Sequence, residues 1–321
     1  MKKKLEEEAI EMESDSKIYV AGHRGLVGSA LLRRLAKNGF SKIVYRTHSE
    51  LDLTNQVATE QFFAEERPDY VFLTAAKVGG IHANNTYPAD FIYENLQIQS
   101  NVIHWAYKYG AKKLCFLGSS CIYPKFASLP LKEEYLLTGS LEPTNEPFAV
   151  AKLAGIKLCE SYNRQFGTNF ISAIPANLYG PGDNFDPMNS HVLGALVQRF
   201  VSAKKARMNK VTIWGTGKPL REFLYVDDLA DGCIFLMEKY SGNDPVNIGS
   251  GTETSIKALA VLIAKYAGYN GSLEFDTSKA DGTPRKVVDT TKLTELGWRA
   301  ATTLDDGLQK TIEWYESTVA R

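Results

Sequence analysis

Apolar residues along this chain recur in two rhythms, short continuous runs and longer stretches spaced by three or four. Ile18, Tyr19 and Val20 run into Gly22, Gly25 and Gly28, after which Leu26, Leu31, Leu32 and Leu35 return at helical spacing. The spacing predicts a strand, a tight turn and a helix. Gly22 permits the turn, Gly25 lets a pyrophosphate approach the backbone, and Gly28 lets the helix close on the strand. Free N–H groups at the helix start then face an anion, and the expected ligand is a dinucleotide. The helix ends at Asn38-Gly39, and Lys42 to Tyr45 give a second strand that stops at Arg46. Asn55 to Glu66 read as a helix stopped by Pro68, Tyr70 to Thr74 as a third strand, Ala89 to Tyr109 as a long striped helix, and Lys113 to Leu117 as a fourth strand. A helix from about Thr144 to Gly167 and a strand from Asn169 to Ile174 follow, and the turn-rich stretch Pro175 to Pro181 is where the chain should leave the sheet.

Beyond that exit the order is less regular. A helix from about Ser190 to Lys205, a strand Val211 to Trp214, a helix after Asp227-Asp228, a strand Val246 to Ile248, and helices near Ser255 to Tyr266 and Leu304 to Tyr315 complete the reading. The alternation predicts an α/β fold, a Rossmann-type parallel sheet flanked by helices, with a smaller mixed α/β C-terminal substrate domain. Residues 17–177 plus about 222–249 are assigned to the first domain, and about 178–221 plus 250–321 to the second. Residues 1–16, charged throughout, read as a flexible tail rather than a signal peptide or anchor.

Composition narrows the partners. A chain of 321 residues with 44% hydrophobic content can bury a large core. Lys plus Arg equals Asp plus Glu at 37 each, so no global field recruits nucleic acid or an anionic membrane. Cys115, Cys121, Cys159 and Cys233 form no CxxC pair, which points to a reducing, cytoplasmic setting and no structural metal. An acidic residue near the end of the second strand would bind the adenine ribose 2′-OH and repel a 2′-phosphate. Here Arg46-Thr47-His48 stands at that place and Arg24 lies in the glycine turn, two cations that favour NADP over NAD, although Arg46 also reads as a solvated strand end and Glu50 and Asp52 lie close by. Small residues at the ends of the third and fourth strands, Ala75-Ala76-Lys77 and Gly118-Ser119-Ser120-Cys121, lie where such folds bind ligands.

Ser119 after the fourth strand, followed by residues 148 and 152 on one helical face, resembles the Ser, Tyr, Lys arrangement of the extended short-chain dehydrogenase/reductase family. The blocks AGHRGLVGSA, AAKVGGIHANNTYPADF, LGSSCIYPK, LEPTNEP, NLYGP, NSHV, WGTG, REF and DGTPRK bring the resemblance to the GDP-L-fucose synthases within it, from about Lys17 to the C-terminus. That resemblance implies NADPH-dependent 3,5-epimerisation and 4-reduction of GDP-4-keto-6-deoxymannose by a homodimer. It implies Cys121 and His191 as the acid/base pair, with Lys152 and Ser119 serving the reduction. Taken singly, Cys121 is a buried small hydrophobe and His191 a helix-start residue.

The same resemblance implies cofactor contacts from Gly22, His23, Arg24, Gly25, Leu26, Val27, Gly28, Arg46, Asp52 and Leu53, then from Ala75, Ala76, Lys77, Leu117, Gly118, Ser119 and Lys152, and finally from Pro175, Asn177, Leu178 and His191. Substrate contacts are expected from Ser120, Cys121, Asn177, Arg199, Trp214 and Arg221, with Asp281 and Lys286 in DGTPRK as further candidates. Two positions depart from the family. Phe148 stands at the tyrosine that donates the proton to the C4 oxygen, and Ala176 replaces a threonine near the nicotinamide. A phenyl ring keeps the packing but cannot donate or ionise, so reduction is expected to be impaired and epimerisation less so. An epimerase or reductase on a related GDP-keto-deoxyhexose or heptose, or a catalytically silent NADP or nucleotide-sugar binder, are the alternatives.

Overall fold

The central strands form where short apolar runs are covered on both faces, and the helices between them keep one apolar stripe for the sheet. The computed structural model describes residues 12–186, 190–279 and 281–320, the side chains of residues 81 and 82 apart. In chain order it contains β1 (Ile18–Ala21), α1 (Leu26–Lys37), β2 (Ile43–Val44), α2 (Gln56–Glu66), β3 (Tyr70–Leu73), α3 (Ile81–Thr86), α4 (Pro88–Lys108), β4 (Lys113–Leu117), α5 (Glu146–Phe166), β5 (Phe170–Pro175) and β6 (Asn177–Tyr179). It continues with α6 (Val192–Lys205), β7 (Lys210–Trp214), β8 (Leu220–Tyr225), α7 (Val226–Lys239), β9 (Val246–Ile248), β10 (Glu253–Ser255), α8 (Ile256–Ala267), β11 (Ser272–Asp276), β12 (Arg285–Lys286), α9 (Thr291–Glu295) and α10 (Leu304–Thr318).

The main sheet has the order β2-β1-β3-β4-β5-β9 and every pairing in it is parallel. Every residue of β1, β3, β4 and β5 is buried. α1 packs beside α7, while α4 lies along α5 and α2. The chain turns from β1 to β2 on one side and reaches β3 on the other, so the crevice opens between the carboxyl ends of β1 and β3. A second apolar cluster gathers α6, α8 and α10 against β7 and β8, with Phe200, Leu259, Ile263 and Leu308 fully buried. Around it β10, β8 and β12 form a small sheet that β6 joins through β8, and β11 pairs with β7.

Several expectations change. The second strand shrinks to two residues, α3 precedes the long helix, and the exit after β5 is itself a strand, β6, before Gly180 and Gly182 turn the chain at φ +152° and +88°. The short elements β8, β10, β11, β12 and α9 are additions to the sequence reading. Of the expected tail, residues 1–11 lie outside the described residues, while Met12 is buried in the first cluster and Ser16 N bonds Glu13 O at 2.9 Å.

One buried cation holds two layers together. Lys113 opens β4 with no exposed surface, and its Nζ donates to the carbonyls of Leu236, Met237 and Tyr240 at 3.2, 2.7 and 2.6 Å. Those carbonyls close α7, the negative end of the helix dipole. Replacing Lys113→Met keeps the length and strands the acceptors, and is expected to lower stability by about 2–4 kcal/mol. A urea-denaturation midpoint unchanged from the parent would contradict this account of the contact.

Candidate active site at the carboxyl edge of the sheet

The glycine turn is built by close approach. At Gly22 φ is +85°, and a Cβ there would lie 2.7 Å from Ala75 N; a Cβ on Gly28 would lie 2.2 Å from Gly22 O. Gly25 has nothing nearer its Cβ direction than Gly22 O at 3.4 Å, which leaves that side open to a ligand. No side chain caps the start of α1 and no acidic residue stands in its first turn, so the amides of Leu26, Val27 and Gly28 face outward as anion donors. Ala75 and Ala76 continue the crevice with half-buried small side chains, and Leu117, Gly118 and Pro175 line up beside them at the ends of β4 and β5. This cradle fits a dinucleotide pyrophosphate.

At the adenosine end, the His23 ring stacks on Tyr45 with centroids 4.5 Å apart. Arg46 is not a free cation. Its guanidinium pairs with Glu66 at 2.6 Å and lies 5.4 Å over the Phe62 ring. Arg24 is exposed. Both arginines act on Glu50, whose carboxyl is lowered first by hydrogen bonds from Thr47 and then by these two charges, so the cations converge on one turn. Asp52 accepts from Thr54 N and Oγ1 at 2.9 and 2.8 Å, a turn-forming role, and Leu53 is buried behind it. Lys77 departs from expectation: its Nζ is taken by Glu94 and Asp90 of α4 at 2.5 and 3.2 Å, and its backbone amide and carbonyl by Asn95. Asn177 also differs, because its amide donates to Glu222 O at 2.8 Å and ties β6 to β8. Leu178 is half-buried, and Ala176 N bonds Ile248 O.

Beyond β4, Ser119 caps the single turn Ser120–Ile122 by accepting from Cys121 N at 3.4 Å, with Ser120 buried behind it. On α5, Phe148 and Lys152 stand one turn apart. Lys152 is 4% exposed, its Nζ donates to Leu117 O at 2.8 Å, and it lies 5.9 Å over the Phe148 ring. Burial pushes its pKa down to about 8, opposed by Cys121. Phe148 meets Phe91 edge-on at 6.2 Å. The Cys121 thiol is raised by burial, opposed by Lys286, the Ser119 hydroxyl and Lys152. His191 sits at the start of α6, reachable by water on one side; the surrounding protein lowers its pKa, and the Lys286 charge lowers it further.

Lys286 is the meeting point of these groups. It pairs with Arg221 across β12 and β8, and its own pKa is lowered by burial. Its charge acts on Cys121, His191 and Arg221, so groups following the main sheet, opening α6 and on the small sheet lie within electrostatic reach of one lysine. Farther out, Trp214 is 63% exposed, with Arg199 at 5.9 Å and Lys279 at 5.8 Å over its ring. Arg199 also donates to Thr212 O at 2.6 Å. Asp281 points at neither: its two oxygens accept from Thr216 N and Oγ1 at 2.8 and 2.6 Å, which clasps the WGTG loop. Sequence reasoning passed over Lys279, Thr216 and Glu222; the acidic residue inside REF was the available signal for the last.

A parallel sheet with a glycine cradle at its switch point, and a lysine, serine, thiol and imidazole at the same edge, defines a dinucleotide-binding fold equipped for carbonyl and proton-transfer chemistry. The chain belongs to the NAD dependent epimerase/dehydratase family, whose sequence profile matches residues 18–249. It is 60% identical over 307 residues to GDP-L-fucose synthase 1 of Arabidopsis thaliana, covering 96% of this chain and 95% of that protein. It is 53% identical over 311 residues to GDP-L-fucose synthase of Escherichia coli K12, covering 94% and 97%. The crystal structure of a GDP-L-fucose synthetase from Naegleria fowleri bound to NADP is similar with a TM-score of 0.91 at 30% identity, covering 97% of each chain.

Of the four thiols, Cys115, Cys159 and Cys233 are buried and Cys121 is partly open. Iodoacetamide on the folded protein is therefore expected to add one carbamidomethyl group, at Cys121. Because its pKa is raised above the ordinary 9.0, the rate should stay slow at neutral pH and climb only beyond pH 9. Rapid alkylation at pH 7, read by peptide mass spectrometry, would contradict the desolvated thiol.

Proposed function

We propose that this chain converts GDP-4-keto-6-deoxy-D-mannose to GDP-L-fucose by NADPH-dependent 3,5-epimerisation and 4-reduction, with the reduction slowed by Phe148. The observation that carries the reading is the convergence of Cys121, His191 and Lys286 in one cleft beside Ser119 and Lys152. A C4 ketone acidifies the protons on C3 and C5. One group must take each proton and another return it on the opposite face through an enolate. At neutral pH the lowered His191 is an unprotonated acceptor and the raised Cys121 is a thiol donor, so the pair stands in the two states the exchange needs. The Lys286 charge beside both favours the enolate's negative charge.

Bound NADPH supplies the hydride for C4. The outward amides at the start of α1 hold its pyrophosphate, the exposed Arg24 meets the 2′-phosphate with only a residual field from Arg46, already paired to Glu66, and Lys152 fixes the nicotinamide ribose. Ser119 donates to the C4 oxygen. Phe148 fills the place of the acid with a ring that has no proton to give. Arg221 and Lys286 meet the diphosphate, and Trp214 offers its exposed face to the guanine.

In this reading the two apolar clusters correspond to a cofactor domain and a substrate domain. Two copies assemble through α4 and α5, whose outer side carries Tyr107 stacked on the half-exposed Phe166 at 4.3 Å, with Tyr162 edge-on to both. Free thiols at all four cysteines suit the cytoplasm, and no helix among the described residues is long and apolar enough to cross a membrane.

Phe148→Tyr is expected to raise NADPH oxidation by about two to four orders of magnitude while changing deuterium wash-in at C3 and C5 by less than roughly threefold. An oxidation rate equal to the parent's would show that residue 148 does not face the C4 oxygen. The wash-in rate itself should be flat from about pH 6.5 to about pH 9, falling below as His191 gains a proton and above as Cys121 loses one. An acid limb with its midpoint above pH 7 would remove His191 as the base.

A further inference from the structure

The small sheet that carries Arg221 and Lys286 is organised around a buried carboxylate. Glu222, the neighbour of Arg221 on β8, has no exposed surface. Its Oε2 accepts from Val288 N at 2.9 Å and its Oε1 accepts from Gly251 N at 2.8 Å, while the neighbouring amide of Ser250 also favours its charged form. No cation pairs with it among the described residues; the one charge that acts on it is Glu253, which is repulsive. A carboxylate buried among backbone amides is costly unless each oxygen stays satisfied, so these amides cannot drift from it without a large penalty. The fit is close, since a Cβ on Gly249 would lie 2.3 Å from Oε1.

The segments so fastened are the loop after β9, which belongs to the main sheet, and the stretch just past β12. Val288 lies two residues after Lys286, and β12 pairs with β8 in the register Arg285 to Leu220 and Lys286 to Arg221. Strand residues alternate between faces. Arg285 accordingly turns away and is neutralised by a two-pronged pair with Glu253 at 2.9 and 2.7 Å. Lys286 turns the other way, beside Arg221, where the two positive charges repel each other. A slip of one residue on β12 would exchange them and empty the cleft of its lysine.

We propose that Glu222 is a positioning residue for this site: its buried carboxylate fixes β12 on β8 in the register that sets Lys286 beside Arg221 as a paired cation for the phosphates of a nucleoside diphosphate sugar. The inference rests on the reading that the cleft takes a GDP-linked sugar. Like charges held side by side are tolerated where an anion completes the group, and a diphosphate bridging both does so. Glu222 itself stays out of contact with the ligand and acts through Val288 and the strand that precedes it.

Calorimetric titration of the whole protein with GDP, and separately with NADPH, tests this. Glu222→Gln replaces one acceptor oxygen with a donor facing an N–H, and is expected to raise the Kd for GDP by roughly tenfold or more while the Kd for NADPH stays within about twofold. Glu222→Asp, which keeps the charge on a shorter stem, should show the same split to a smaller extent and serves if the first variant does not fold. In a Lys286→Met background either change should add little, because the group it positions is already gone. Unchanged GDP affinity, a parallel loss for GDP and NADPH, or additive losses in the double variant would each overturn the positioning role. A parent protein that binds NADPH but not GDP would overturn the reading of the substrate, and the inference with it.

Discussion

Exclusion of water is the constraint on which the site depends. Burial is the leading cause of shift for four ionisable groups, Lys152, Lys286, Cys121 and His191, of which Lys152 is enclosed, Lys286 and Cys121 are half-buried and His191 keeps an exposed side. Each moves toward its neutral form, the two lysines and the histidine downward and the thiol upward. The imidazole and the thiol thereby move apart in proton affinity, so that near neutrality one stands without its proton and the other with it, while the two lysines come down toward the thiol. Lys152 is kept from drifting by the Leu117 carbonyl, so its position does not rely on a bound ligand.

The same economy of satisfied polar groups runs through the frame. Lys113, Glu222 and Asn247 are all fully buried, and each spends its side chain on backbone atoms of other segments. Asn247 is the densest of these junctions: its amide reaches Leu131 O and Asp289 O, its oxygen accepts from the Tyr123 hydroxyl at 2.6 Å, and its own N–H donates to Glu133. Such contacts are directional where apolar packing is not, and they set which loops meet beside the cleft. Phe148 shows the complementary case. It meets Phe91 edge-on and lies under Lys152, so its ring packs the helix and brings no polar atom to that place.

How much of this was legible in the sequence follows from burial. β4 was read to its observed bounds because a strand covered on both faces leaves an apolar run, and β9 was too, its flanking Val246 and Ile248 outweighing the polar Asn247 between them. β8 was not, since LREFLY sets a charged pair inside an apolar stretch, and β12 is two charged residues with no apolar signal at all. The glycine turn and the one-turn spacing of residues 148 and 152 are local properties, and both are found as read. Partnerships across long separations are a different matter. Nothing near Arg46 announces Glu66, nothing near Lys77 announces Glu94, and nothing near Asn177 announces a carbonyl on β8. Sequence shows which charges exist, and the fold decides which are already spent.

The path of the backbone between its two apolar cores carries a mechanical consequence. The thread passes from one to the other near residues 176–179, 223–226, 248–256, 275–288 and 298–308. A body joined by one tether can swing about a few dihedral angles, but one sewn together at so many places has no such axle. Any change in the spacing of the two walls has to bend all of these crossings together, a stiffer motion than rotation about one tether.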